Sequence, residues 1–145
     1  MDLSRHQIRK VAFQVLFAKH VNADADVEAL YQQLIPSKPD QPTIVPEYLV
    51  TLVNGVTAHE ADLDALINTK LAKKWSVGRL SNPDLIVLRL GLYEMQYSAE
   101  VPTRVALNEA IELAKEFSDD DSRRFVNGVL SQLTEADPAT QTNND

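Results

Sequence analysis

The stretch Ser81-Asn82-Pro83-Asp84-Leu85-Ile86-Val87-Leu88-Arg89-Leu90-Gly91-Leu92-Tyr93-Glu94 decides the fold class. Ser81 can cap a helix, Pro83 fits the first helical turn because its missing N–H would have no partner there, and Asp84 complements the helix dipole. The helix so opened runs to about Tyr97 and is apolar on most sides, through Leu85, Ile86, Val87, Leu88, Leu90 and Leu92. A helix of this kind is stable only when others cover it, so it is expected at the centre of a helical bundle.

Covering helices are legible on both sides of it. Upstream, Ile8, Val11, Ala12, Val15 and Leu16 follow the i, i+3, i+4, i+7 rule and predict a helix over 4–21. Val27, Leu30, Tyr31 and Leu34 predict a shorter one, capped by Asp24 or Asp26 and ended by Pro36. Residues 36–46 hold four of the seven prolines and read as a joint between two sub-bundles of one domain spanning 1–136. Leu49, Leu52, Val53 and Val56, then Leu63, Leu66, Ile67 and Leu71, mark two more helices, and Trp75–Gly78 reads as a turn. Downstream, Pro102-Thr103 starts a helix through Phe117, and Asp119–Asp121 caps a last one carrying Phe125, Val126, Val129, Leu130 and Leu133. The expected fold is all-α, with about seven helices, and the small polar residues 137–145 are expected to form a disordered tail.

Composition removes several functions. With no cysteine there are no disulfides, thiolate metal sites or cysteine nucleophile, as is usual in a reducing cytosol. No signal-peptide pattern opens the chain, and no run of about 18 uncharged apolar residues could span a bilayer. A cytoplasmic, non-membrane protein is expected. The three histidines are dispersed, and no phosphate loop, nucleophile elbow or HExxH motif occurs. No enzyme activity, metal or cofactor is therefore expected. Gly55, Gly91 and Gly128 stand singly in helical patterns and read as close-packing positions. Asn108 and Asn127, poor helix formers in helix interiors, are expected to be held by hydrogen bonds that cross-link the last two long helices.

Charge is unevenly placed. The formal net charge is −7, yet residues 1–20 carry Arg5, Arg9, Lys10 and Lys19 against the single acid Asp2. His6, Lys10, Phe13, Phe17 and His20 recur in steps of four and three, forming one helical stripe with Arg5 and Arg9 beside it. Cations for phosphates beside rings for bases are what single-stranded RNA recognition requires. The same pattern also describes a helix whose phenylalanines are core and whose cations are merely solvated. Both readings stand on pattern alone.

Longer motifs carry a resemblance. Arg9, Ala12, Gln14, Leu16 and Phe17, the run 88–94, Val101-Pro102 with the run 106–115, and Asp121-Ser122-Arg123-Arg124-Phe125-Val126-Asn127-Gly128-Val129-Leu130 resemble the NusB family of transcription antitermination factors. The resemblance implies a non-catalytic helical protein that binds single-stranded boxA-type leader RNA together with NusE, a small-subunit ribosomal protein. It also implies assembly with other Nus factors on RNA polymerase, notably in ribosomal RNA operons. By matching position it assigns RNA contact to Arg5, Arg9, Lys10 and Phe17, with Arg123, Arg124 and Phe125 as further RNA surface, and His6 joins them as a member of the stripe. Asp84, Glu94, Asp120 and Asp121 become candidates for the basic partner NusE. The sequence departs from the family where enterobacterial relatives have consecutive arginines: here Ser4, His6 and Gln7 stand. Fewer fixed cations imply weaker binding to RNA alone and greater dependence on the partner. A pure protein adaptor, or a helper of an RNA methyltransferase, are the competing functions, and both a monomer and a homodimer fit the pattern.

Overall fold

The structure, a computed structural model, describes residues 3–36, 39–40 and 44–136. The expected disorder of 137–145, and residues 37–38 and 41–43 of the joint, lie outside the described residues. Among the described residues seven α-helices follow one another: α1 (Arg5–Val21), α2 (Val27–Leu34), α3 (Glu47–Ala58), α4 (Glu60–Asn68), α5 (Asn82–Tyr97), α6 (Thr103–Phe117) and α7 (Asp120–Ala136). One short 3₁₀ turn, Val77–Arg79, precedes α5. Among the described residues there is no strand.

Local chemistry accounts for the helix starts. Ser4 closes a capping box with Gln7, each side chain taking the other's backbone N–H. Asp26 accepts from the Glu28 N–H and Ser81 from the Asp84 N–H. Asp119 accepts from the Ser122 N–H at 2.8 Å and so begins α7. The break between α3 and α4 is narrower than the sequence pattern suggests, a single residue, His59.

Helix α5 is the hub, touching α1, α3, α4, α6 and α7. Helices α1, α2 and α3 make one group and α6 and α7 the other; α5 belongs to both, and α4 packs on α3 and α5. One continuous apolar core therefore joins the two groups. Its largest fully buried side chains include Leu49, Leu52, Leu63, Leu88, Leu92 and Leu130, each contributing about 1.5–3 kcal/mol on leaving water.

Close approach of α5 and α6 depends on small residues. A Cβ at Gly91 would lie 2.7 Å from the Ala110 Cβ and 3.0 Å from Leu130 Cδ1. One at Gly55 would overlap the Tyr93 ring. Gly128 differs: it is exposed and a Cβ there would meet nothing, so the close-packing expectation fails at this position. Asn108 and Asn127 are corrected as well. Both stand on exposed helix surface, and neither side chain hydrogen-bonds among the described residues, so they do not cross-link α6 and α7.

These environments predict opposite outcomes for two alanine substitutions. Gly91→Ala should destabilise by about 1–3 kcal/mol through overpacking, whereas Gly128→Ala should stabilise by about 0.5–1 kcal/mol through helix propensity. Urea unfolding midpoints of the two variants check the sign of each.

Candidate nucleic-acid interface

Helices α1 and α6 run side by side in the same direction, as their paired residues show: His6 with Glu109, Lys10 with Glu116, Phe13 with Phe117. Phe13 is core, only 4% exposed, and its ring stacks on Phe117 at 4.4 Å between centroids. Phe17 is half-buried at the same end, 6.0 Å from Phe13. Burial thus decides between the two readings of this stripe for Phe13 and leaves Phe17 as the aromatic residue at the edge.

Arg5, His6 and Lys10 of the N-terminal edge each have an acid against them. Arg5 Nη2 lies 3.2 Å from Glu100 Oε1 and His6 Nδ1 2.8 Å from Glu109 Oε2. Lys10 Nζ lies 2.7 Å from Glu116 Oε1. Glu109 and Glu116 of α6 are therefore turned toward α1. Arg5, His6 and Lys10 all remain accessible to solvent.

Arg9 and Glu94 are corrected. They were expected on two different surfaces, one facing RNA and the other NusE. Instead they are buried against each other, 4% and 1% exposed, with Arg9 Nε donating to both Glu94 oxygens at 2.7 and 3.0 Å. The Tyr48 hydroxyl from α3 donates to the same carboxylate. Neither side chain is accessible to a macromolecular partner. Burial disfavours the Arg9 charge, but the hydrogen bond and charge of Glu94, with Glu109 adding, outweigh it and hold the guanidinium above its ordinary value. Burial, and then the bond to Glu94, push the Tyr48 phenol up, so it stays protonated and donates. A second buried arginine, Arg89, ties α5 to α4 through a bidentate pair with Asp64 at 2.8 Å for both bonds.

Sequence reasoning missed the aromatic groove beside Arg5. The Arg5 guanidinium lies 3.6 Å over the Tyr48 ring, and Tyr48, Tyr93, Tyr97 and Ser98 line an open groove with Arg5. Tyr97 is 45% exposed and stacks on His59 at 4.1 Å. Tyr48 on α3 and Tyr93 and Tyr97 on α5 are far from Arg5 in sequence, and only folding brings them to the N-terminus of α1.

The remaining candidates lie at helix starts. Arg123 and Arg124 pair with Asp120 and Asp121 within the first turns of α7, at 3.5 and 3.4 Å, and Phe125 is half-buried against the core. The short link from Phe117 starts α7 at the end of the bundle where Phe13 and Phe17 lie. Asp120 and Asp121 are exposed. Asp84 stands in the first turn of α5 with Oδ1 buried and unpartnered.

The site gathers surface cations and aromatic rings on an all-helical frame. A family model described as the NusB family matches residues 6–135. The chain is 52% identical over 141 residues to the transcription antitermination protein NusB of Levilactobacillus brevis, covering 97% of this chain and 99% of that one. It is 48% identical to the protein of the same name from Limosilactobacillus fermentum, covering 99% and 100%. Among solved structures, T. maritima NusB superposes with a TM-score of 0.79 at 31% identity, covering 93% of each chain. A chain from a crystal structure of antitermination factors NusB and NusE in complex with dsRNA superposes at 0.75 and 26% identity, covering 93% of this chain and 100% of that one. The chain belongs to the NusB family, a family of transcription antitermination factors and not of enzymes.

Two outcomes follow from the buried pair and the tyrosines. Arg9→Ala or Glu94→Gln should each cost about 3–5 kcal/mol, because each strands a buried polar partner; chemical unfolding measures this, and a loss below about 1 kcal/mol would contradict the burial. Tyr31, Tyr48 and Tyr93 all titrate above their ordinary value of 10.0. Above that pH the unfolded chain loses protons that the folded chain keeps, so stability should fall as pH rises through this range. Unfolding midpoints across an alkaline series check the sign.

Proposed function

We propose that this protein is a cytoplasmic transcription antitermination factor that binds single-stranded boxA-type leader RNA together with NusE, through one domain spanning residues 1–136. In a larger complex with other Nus factors and RNA polymerase, it helps the polymerase avoid premature termination, notably in ribosomal RNA operons. Family membership over residues 6–135 carries this reading. Likeness to a NusB chain solved with NusE and dsRNA supports the choice of partners. Among the described residues no helix is long and apolar enough to cross a membrane.

In this reading Arg5, His6 and Lys10 meet phosphates, Phe17 supplies a ring at the edge, and Arg123, Arg124 and Phe125 extend the surface. Arg9 acts from beneath by holding α1 on α5. The acids Asp120 and Asp121 are the accessible candidates for NusE, with Asp84 at the start of α5. Phosphates must compete with Glu100, Glu109 and Glu116 for the same cations. This competition, together with the reduced arginine count, makes RNA binding weak until a partner adds contacts.

The test is a titration of boxA-type RNA with and without NusE over a salt series. Arg5→Gln and Lys10→Gln should each weaken binding and reduce the salt slope by about 0.7. Glu116→Gln, which frees Lys10, should tighten binding to RNA alone by up to about fivefold, the equivalent of about 1 kcal/mol for an exposed pair. Unchanged affinity in all three variants would remove the α1 edge from the interface, and NusE binding without any RNA enhancement would favour the protein adaptor.

A further inference from the structure

Between Asp64 and Asp84 the chain carries Lys70, Lys73, Lys74 and Arg79 and no acid, in a protein of net charge −7. These residues form the connection from α4 to α5. Lys73, Lys74 and Arg79 are exposed, and none of the four makes an ion pair among the described residues. The contrast with the α1 edge is direct: there Arg5, His6 and Lys10 each face a carboxylate, whereas here the charge is uncompensated. Trp75, 53% exposed, stands in the middle of this run.

The connection is held in shape. The Val77 N–H donates to Asn68 Oδ1 at 3.0 Å, and the Trp75 N–H to the Ala72 carbonyl at 2.8 Å. Arg79 Nη1 donates to the Lys74 carbonyl at 2.7 Å, which brings its guanidinium 5.7 Å from the centre of the Trp75 ring. Ordering an exposed indole among free cations costs entropy and gives no core packing in return. Single-stranded RNA offers both complements at once, phosphates for the cations and a flat base for the ring. An acidic protein segment would match the charge alone.

We propose that the 70–79 connection is a second contact for single-stranded RNA, in which Lys73, Lys74 and Arg79 meet phosphates and Trp75 stacks on a base. It rests on the reading of the protein as RNA-binding, and places part of the affinity away from the α1 edge.

Trp75 is the one tryptophan in the sequence, so indole fluorescence reports this connection directly. The full chain is titrated with a single-stranded RNA of about 12 nucleotides, following indole emission and, in parallel, the anisotropy of the same RNA end-labelled. Quenching should saturate with the anisotropy. Lys73→Gln with Lys74→Gln should lower the salt slope by about 1.4. Trp75→Ala should weaken binding about five- to a hundredfold, with recovery in Trp75→Phe. Anisotropy that reports binding while the indole stays unmoved would overturn the second contact and leave the α1 edge standing. Quenching and affinity that survive Arg5→Gln with Lys10→Gln would keep the contact at Trp75 and remove the α1 edge instead. Equal quenching by polyglutamate would assign the connection to an acidic protein segment and overturn the proposal, as would the absence of RNA binding by both readouts.

Discussion

The carboxylate of Glu94 gathers three helices. Arg9 reaches it from α1 and Tyr48 from α3, while Glu94 itself belongs to the central helix α5. A charge at 1% exposure is tolerable only when its lone pairs are filled, and here a guanidinium and a phenol fill them. Because these partners are directional, they set the rotation of α1 about its axis, which apolar contacts alone specify less sharply. With Arg9 turned inward, Arg5, His6 and Lys10 must lie along the outer edge, against the acids Glu100, Glu109 and Glu116.

That arrangement gives the edge its electrostatic character. An edge that looks strongly cationic in sequence has, once folded, a carboxylate against each of Arg5, His6 and Lys10. Exposed pairs of this kind are each worth at most about 1 kcal/mol and are screened by salt, so they are exchangeable: a phosphate can replace a carboxylate at small cost. The result is a surface that recognises anions without holding them tightly, suited to a factor working within an assembly. The 70–79 connection has the opposite character, with cations that make no ion pair among the described residues and an exposed indole.

Much of the architecture was legible from residue order. The caps at Asp26 and Ser81, and the all-round apolar character of 85–92, correspond to observed helix starts and to the hub position of α5. These are local or periodic signals, and local physical chemistry is enough to interpret them. The site was legible only in part. Position in the stripe identified Arg5, His6 and Lys10 as edge residues, yet the same stripe gave no sign that Arg9 is buried, that Glu94 is its partner 85 positions away, or that Tyr48 and Tyr97 would border Arg5. Asn127 and Gly128 show the converse error: residues that look constrained in a helix stand on open surface.

By itself, then, the sequence determined helix boundaries, the identity of the central helix, the absence of cysteine chemistry and, through its long motifs, the family. Each depends on residues near one another in the chain, or on composition. Only the tertiary structure decided which cations are free, which are paired and which are core, because a side chain's charge state and accessibility depend on the groups that packing brings against it. Arg9 and Arg5 stand four residues apart on one helix edge, yet one secures the fold and the other faces solvent, and the difference is the rotation of α1 against α5.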